Sequence, residues 1–309
     1  MRSTRARRGF GPDVPVMDTL VRLSRYFGSD PEFILAGGGN TSAKIGGRLY
    51  VKASGYPLAD IDRSGFVALD RGALSEILQR RLADDPAKRE TQFKEAILAA
   101  RCDAEKGLRP SVECVLHNLV PGTFVVHTHS TWANMIACSK QGRAVAGQLF
   151  GDDVLWIPYV DPGYMLAGRL SAELESYTQR TGRAAPLAIL MENHGLIVSG
   201  DSANGIIART KRLVGLARRR VGDIAGSRPF GKVSVLDAPA RRTLIEVIGP
   251  ALRGLLADGK DLPVVTFDDS KIVMNLVGGA DGRKAASAGP VAPDQIVYSR
   301  SFPMWFRTA

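Results

Sequence analysis

The sequence is poor in the residues that most often do chemistry. Its 309 residues include four histidines, His117, His127, His129 and His194. Three cysteines, Cys102, Cys114 and Cys138, are odd in number, widely spaced and without a CxxC pair. That argues against a disulfide framework and a thiolate metal cluster, and it suits a reducing, cytoplasmic compartment. No run approaches the roughly 18 apolar residues of a membrane span, so no membrane is expected as a partner. The basic start, MRSTRARRGFGP, is not followed by the apolar stretch and cleavage site of a secretory signal. Residues 1–12 read as a disordered basic arm.

Acidic residues are outnumbered, 31 Asp and Glu against 41 Lys and Arg, for a net charge of +10. The excess is dispersed over Arg2, Arg5, Arg7 and Arg8 and over RTKRLVGLARRR at 209–220. The second run fits a helix with Ile206, Leu213, Val214, Ala217 and Val221 on one face and its charges on the solvated opposite face. No nucleic-acid-binding motif is present, so no nucleic acid is expected as a partner. A basic enzyme acting on anionic metabolites is at least as good a reading of the charge.

What is there is globular: 45% hydrophobic and 23% charged residues, enough for one large domain or two smaller ones. Apolar periodicity predicts helices over 13–28, 91–101, 166–180, 203–221 and 240–256, and one beginning at Ser111 as N-cap. Residues 42–51 predict a hairpin around Gly46-Gly47. TFVVHTH predicts a strand, LAILMENHGLIVS a strand, turn and strand, and PVVTF another strand. Composition shifts at GSRPFG, 226–231. The expected domains are therefore a main body over 13–226 and a small α/β extension over 227–309. Hairpins interleaved with helices suggest an at least partly antiparallel sheet covered by helices.

His127-Thr128-His129 carries the chemistry. Residues i and i+2 of a strand share a face, so two imidazoles can converge on one ion. His194, in Asn193-His194-Gly195 at a strand end, supplies a third nitrogen, and three such ligands with an open position make a catalytic metal site. The competing account is two polar residues at a sheet edge. Glu113 and His117 stand four apart on one helix, either as an ion pair or as a carboxylate aimed at a metal with His117 orienting it. The loops Gly37-Gly38-Gly39-Asn40 and Ala53-Ser54-Gly55 can present backbone N–H groups to an anion, or be only turns.

Five motifs then occur in order: Gly39-Asn40-Thr41-Ser42, Ala53-Ser54-Gly55, Pro110-Ser111-Val112-Glu113, His127-Thr128-His129 and Asn193-His194-Gly195. Together, over about residues 30–220, they resemble the class II aldolase/adducin family. GGGNTSAKIGGRLYVKASG, FGDDVLWIPYVDPGYMLA and VAPDQIVYSRSFP are similar to the aldolase part of long bacterial proteins joining a rhamnulose-1-phosphate aldolase to a short-chain dehydrogenase, here without the dehydrogenase part. The resemblance implies a three-layer α/β/α fold on a mainly antiparallel sheet, and a homotetramer. It implies one divalent ion per chain, usually Zn2+, on His127, His129 and His194. Glu113 would complete the metal shell without substrate and act as base with it. Gly39, Asn40, Ser54, Gly55 and Ser111 would bind substrate phosphate. The implied reaction cleaves a ketose 1-phosphate to dihydroxyacetone phosphate and an aldehyde through a metal-stabilised enediolate.

The pattern also departs from the family. Phosphate-binding members often carry two serines before the glutamate, and Val112 replaces the second. Tyr159 and Tyr164 are candidate proton donors. The alternatives are another reaction on the scaffold (pentulose-phosphate epimerisation, sugar-phosphate dehydration or sugar-acid decarboxylation) or a non-catalytic adducin-like interaction module. Glu113 argues against the epimerases, which carry aspartate there, and the three histidines argue against the module.

Overall fold

The structure, a computed structural model, describes residues 16–224 and 228–306. The basic arm expected at 1–12 lies outside the described residues. The chain separates into two units: residues 1–222 with 291–298, and residues 223–290 with 299–309. The expected extension, 227–309, is thus itself divided, because eight of its residues pack with the first unit.

In the first unit, α1 (Val16–Gly28) precedes β1 (Asn40–Ile45) and β2 (Arg48–Lys52). Then come β3 (Phe66–Asp70), α2 (Arg71–Ile77), α3 (Pro86–Ala99), α4 (Cys114–Leu119) and β4 (Phe124–Thr128). α5 (Thr131–Ala137), α6 (Gly142–Phe150), β5 (Val154–Ile157), α7 (Tyr164–Thr181), β6 (Ala188–Met191), β7 (Gly195–Gly200) and α8 (Ala203–Ile224) follow. The strands form one sheet in the order β3-β2-β1-β4-β7-β6-β5. Every pairing is antiparallel except β5 with β6.

Alternation along β4 shows why the sheet is covered on both faces. Phe124 and Val126 enter a core with Leu20, Leu23 and Phe27 of α1, Ile136 of α5 and Leu213 of α8. Val125, between them, enters a second core with Leu74 of α2, Phe93 of α3, Leu116 of α4 and Leu170 of α7. A period of two on the strand thus becomes three layers, α/β/α. On α8, Ile206, Leu213, Val214 and Ala217 are buried, as the helical pattern predicts.

The hairpin forms as expected, with Gly46 at φ +57°, a backbone that favours glycine. The helix expected from Ser111 starts later, at Cys114, with Glu113 at its N-cap position. The Ser111 hydroxyl accepts the Glu113 N–H at 3.3 Å in the turn before it.

The second unit contains α9 (Ala238–Leu255), α10 (Lys271–Val277) and α11 (Gly282–Ala286). The strand expected at PVVTF is absent: 262–270 forms neither helix nor ladder, and Val264 is 88% exposed. β-branched residues favour a pleated surface, yet a strand needs a neighbour to share its hydrogen bonds. Among the described residues this unit holds only isolated bridges, so the expected α/β extension is helical. α12 (Pro293–Ser299) begins in the segment that belongs with the first unit.

Candidate active site

Strand register assembles the site. β1 begins at Asn40, β4 ends at Thr128 and β7 begins at Gly195, all at one end of the sheet. Asn40 lies opposite His127, and Thr128 lies opposite Leu196. His127 and His129 therefore emerge beside the β6–β7 turn. Asn193 in that turn adopts φ +53°, a left-handed backbone that asparagine tolerates, and His194 follows it. Gly195 has no side chain where one would collide: a Cβ there would lie 2.7 Å from the Thr128 carbonyl and 2.8 Å from His129 Cδ2.

The three imidazoles meet. His127 Nε2 lies 2.8 Å from His129 Nε2, and one ligand atom from each of the three rings lies within 4.8 Å of the others. Glu113 closes the cluster, with Oε1 2.8 Å from His194 Nε2 and Oε2 3.8 Å from His127 Nε2. All four side chains are buried. Burial pushes the His127 imidazole well below its ordinary pKa, against the pull of Glu113, so its lone pair is available. Burial alone would raise the Glu113 carboxyl, but His127, His194 and His129 together hold it well below the usual carboxylate range. Three imidazoles converging with a carboxylate are the donor set of a divalent cation, and the residues present fit one.

The substrate-loop residues gather at the same carboxylate. The Asn40 side-chain amide donates to Glu113 Oε2 and, at 3.3 Å, to Ser111 Oγ. Ala53 bridges Pro110, and the Ser54 hydroxyl donates to the Pro110 carbonyl at 3.3 Å. The backbone amides behave differently from the expectation: Ser54 N–H is bonded to the Arg109 carbonyl and Ser111 N–H to the Lys52 carbonyl. These two loops pair with each other, so what Ser54 and Ser111 offer a ligand is their hydroxyls. Gly55 takes φ +90° at an exposed turn, and Gly39 takes φ +66° where a Cβ would lie 2.7 Å from the His127 carbonyl.

Three other sequence candidates fall elsewhere. His117 points into the core, where its Nδ1 lies 2.7 Å from Ser42 Oγ, so it does not orient Glu113. A residue at the cap and one a turn later need not share a side-chain direction. The Tyr159 phenol bonds Asp161 and the Tyr164 phenol bonds the Arg80 carbonyl.

Two residues were missed by the sequence reading. Lys52 is buried two residues before Ser54, and its ammonium donates to the Tyr56 carbonyl at 2.9 Å. Burial lowers its pKa while Glu113 opposes that shift. A lysine ending a strand gives no signal of this. Asp294 of α12 lies with Oδ2 2.8 Å from His129 Nδ1.

Comparison with known proteins agrees with this geometry. A family model described as the class II aldolase and adducin N-terminal domain matches residues 18–221. The chain is similar to the uncharacterized oxidoreductase YuxG of Bacillus subtilis (strain 168), at 26% identity over 301 residues. That match covers 94% of this chain and 42% of the relative, so the chain spans under half of that protein's length. The N-terminal class II aldolase domain of a conserved protein from Thermoplasma acidophilum superposes with a TM-score of 0.59 at 26% identity, over 72% of this chain and 99% of that one. An L-fuculose-1-phosphate aldolase from Thermus thermophilus matches at 14% identity and a TM-score of 0.45, over 67% of this chain and 94% of that one. The family match covers the whole sheet and all three histidines, and on that ground this chain belongs to the class II aldolase and adducin N-terminal domain family.

Proposed function

We propose that this protein is a metal-dependent aldolase that cleaves a ketose 1-phosphate of the rhamnulose or fuculose type to dihydroxyacetone phosphate and an aldehyde. The observation that carries the proposal is the buried cluster of His127, His129 and His194 closed by Glu113, with Asn40, Ser54 and Ser111 at its rim. The three imidazoles are the proposed metal ligands, joined by Glu113 when substrate is absent, and zinc suits a nitrogen-rich set. When bound, a divalent ion supplies a Lewis acid that draws charge from the oxygens beside the breaking carbon–carbon bond.

The chain's own residues do the rest. Glu113 is ionised and accepts the proton of the substrate hydroxyl as the carbon–carbon bond breaks, then returns it to the carbon left behind, and Asn40 holds one of its oxygens by donating to it. The hydroxyls of Ser54 and Ser111, with the Asn40 amide and the turns at Gly39 and Gly55, receive the phosphate. Lys52 adds a positive charge behind them. The working form is a cytoplasmic homotetramer. Among the described residues no helix is long and apolar enough to cross a membrane.

The test is a panel of ketose 1-phosphates and sugar acids given to zinc-loaded protein, with dihydroxyacetone phosphate and aldehyde as readouts and a chelated sample as control. Release from at least one ketose 1-phosphate, abolished by chelation, is expected. Val112 favours a second reading. It is exposed before Glu113 and offers no hydroxyl, which suits a decarboxylase acting on an unphosphorylated sugar acid. Carbon dioxide, with no dihydroxyacetone phosphate, would decide for it.

A further inference from the structure

We propose that Asp294 is a positioning residue for the metal centre, delivered by the returning segment 291–298 and acting through His129. The proposal rests on the metal reading above.

His129 has two ring nitrogens with different neighbours. Nε2 faces the cluster, 2.8 Å from His127 Nε2, while Nδ1 faces Asp294 Oδ2 at 2.8 Å. A neutral imidazole carries one proton on one nitrogen and a lone pair on the other. A carboxylate beside Nδ1 draws the proton there and leaves the Nε2 lone pair pointing at the ion. The contact has the length of a hydrogen bond without its alignment. Hydrogen bonds at such sites are often poorly aligned when empty and tighten when the site is filled.

The surroundings of Asp294 are built to hold it. Segment 291–298 is fastened at both ends: the Cys138 thiol donates to the Val291 carbonyl at 3.2 Å, and the Tyr298 phenol oxygen packs on Gly37, 2.6 Å from where a Cβ there would lie. Between them, the carboxylate occupies the space a side chain at residue 38 would need. A Cβ on Gly38 would lie 2.6 Å from Asp294 Oδ1 and 3.0 Å from Oδ2. Gly38 has an ordinary backbone, so the missing Cβ serves that space and not an unusual φ. The glycine loop expected to cradle an anion of the substrate thus makes room for a carboxylate of the protein itself, while the Gly38 N–H is bonded to the Leu35 carbonyl.

The experiment measures Zn2+ affinity by competition with a chromogenic chelator, the visible spectrum of the Co2+ form, and the melting temperature of metal-free protein. It uses the full chain as wild type, Asp294→Asn, Gly38→Ala and Tyr298→Phe. Asp294→Asn keeps size and removes charge. Gly38→Ala keeps the carboxylate and displaces it. Both should weaken Zn2+ binding by roughly 10- to 100-fold, the usual effect of losing a carboxylate behind a metal-bound histidine. Both should also alter the Co2+ spectrum, with the metal-free melting temperature of Asp294→Asn unchanged. Wild-type Zn2+ affinity in Asp294→Asn overturns the proposal. So does an equal loss in Tyr298→Phe, which would assign the effect to docking of the segment as a whole. A wild-type chain that binds no Zn2+ would instead overturn the metal reading beneath it.

Discussion

Among single residues, Glu113 and His117, four positions apart on one stretch of chain, part company: one faces the cluster and the other the core. Glu113→Gln keeps the amide-sized side chain in the cluster and removes its basicity. The three imidazoles remain, so metal content should persist, while turnover should fall by roughly 10²- to 10⁴-fold, the contribution of a placed acid–base group. Metal analysis beside a steady-state assay checks both halves. His117 is fully buried, and burial pushes its pKa down from 6.5 to about 4. The unfolded chain therefore binds the extra proton first as pH falls, and the folded state loses stability from pH 6.5 down to about 4. At about 1.4 kcal/mol per unit, the window is worth roughly 3 kcal/mol. Urea midpoints of metal-free protein at pH 7 and pH 5 should differ more in wild type than in His117→Gln. Identical pH slopes would place the acid sensitivity elsewhere. At this scale the sequence was legible where periodicity rules: alternation put His127 and His129 on one face. It was illegible where a turn decides direction, as at Glu113, and where partners lie far along the chain, as at Asp294.

The elements tell a similar story at greater length. Long amphipathic helices such as α1, α7 and α8 and the Gly46-Gly47 hairpin were legible, because each buries a stripe that its own residues announce. β3 and β5 were not read as strands, because a short apolar run acquires its identity from the strand beside it. PVVTF shows the converse, strand-forming residues without a ladder. A close fit between elements occurs at the start of β7, where Gly195 lets β4 and its imidazoles approach. Gly195→Ala introduces no backbone strain but sets a Cβ 2.7 Å from the Thr128 carbonyl and 2.9 Å from His127 Cε1. Separation of β7 from the end of β4 should cost about 1–3 kcal/mol, the range for overpacking a filled site. Zn2+ binding should fall with it. A variant that melts as wild type and binds Zn2+ normally would mean that the strand end yields freely.

At the scale of the whole molecule, charge acts before any contact is made. A net charge of +10 gives a positive field that draws anions and is screened over roughly 8 Å at physiological ionic strength. For a phosphorylated substrate, kcat/KM should fall as salt rises from about 20 to about 300 mM, while kcat stays level. An uncharged sugar analogue should show no such slope, and equal salt dependence of the two would remove steering from the account. The returning segment has a consequence of another kind, for the timing of assembly. His127, His129, His194 and the strands that carry them are complete once Gly200 has been made, but Asp294 comes 94 residues later (294 − 200). At about 5–20 residues per second, a ribosome needs roughly 5–20 s to cover that distance. For that interval the nascent chain carries the three imidazoles without the carboxylate proposed to align one of them. On the proposed role of Asp294, firm capture of the ion becomes a late event of synthesis, reserved for chains that have passed through the second unit and come back.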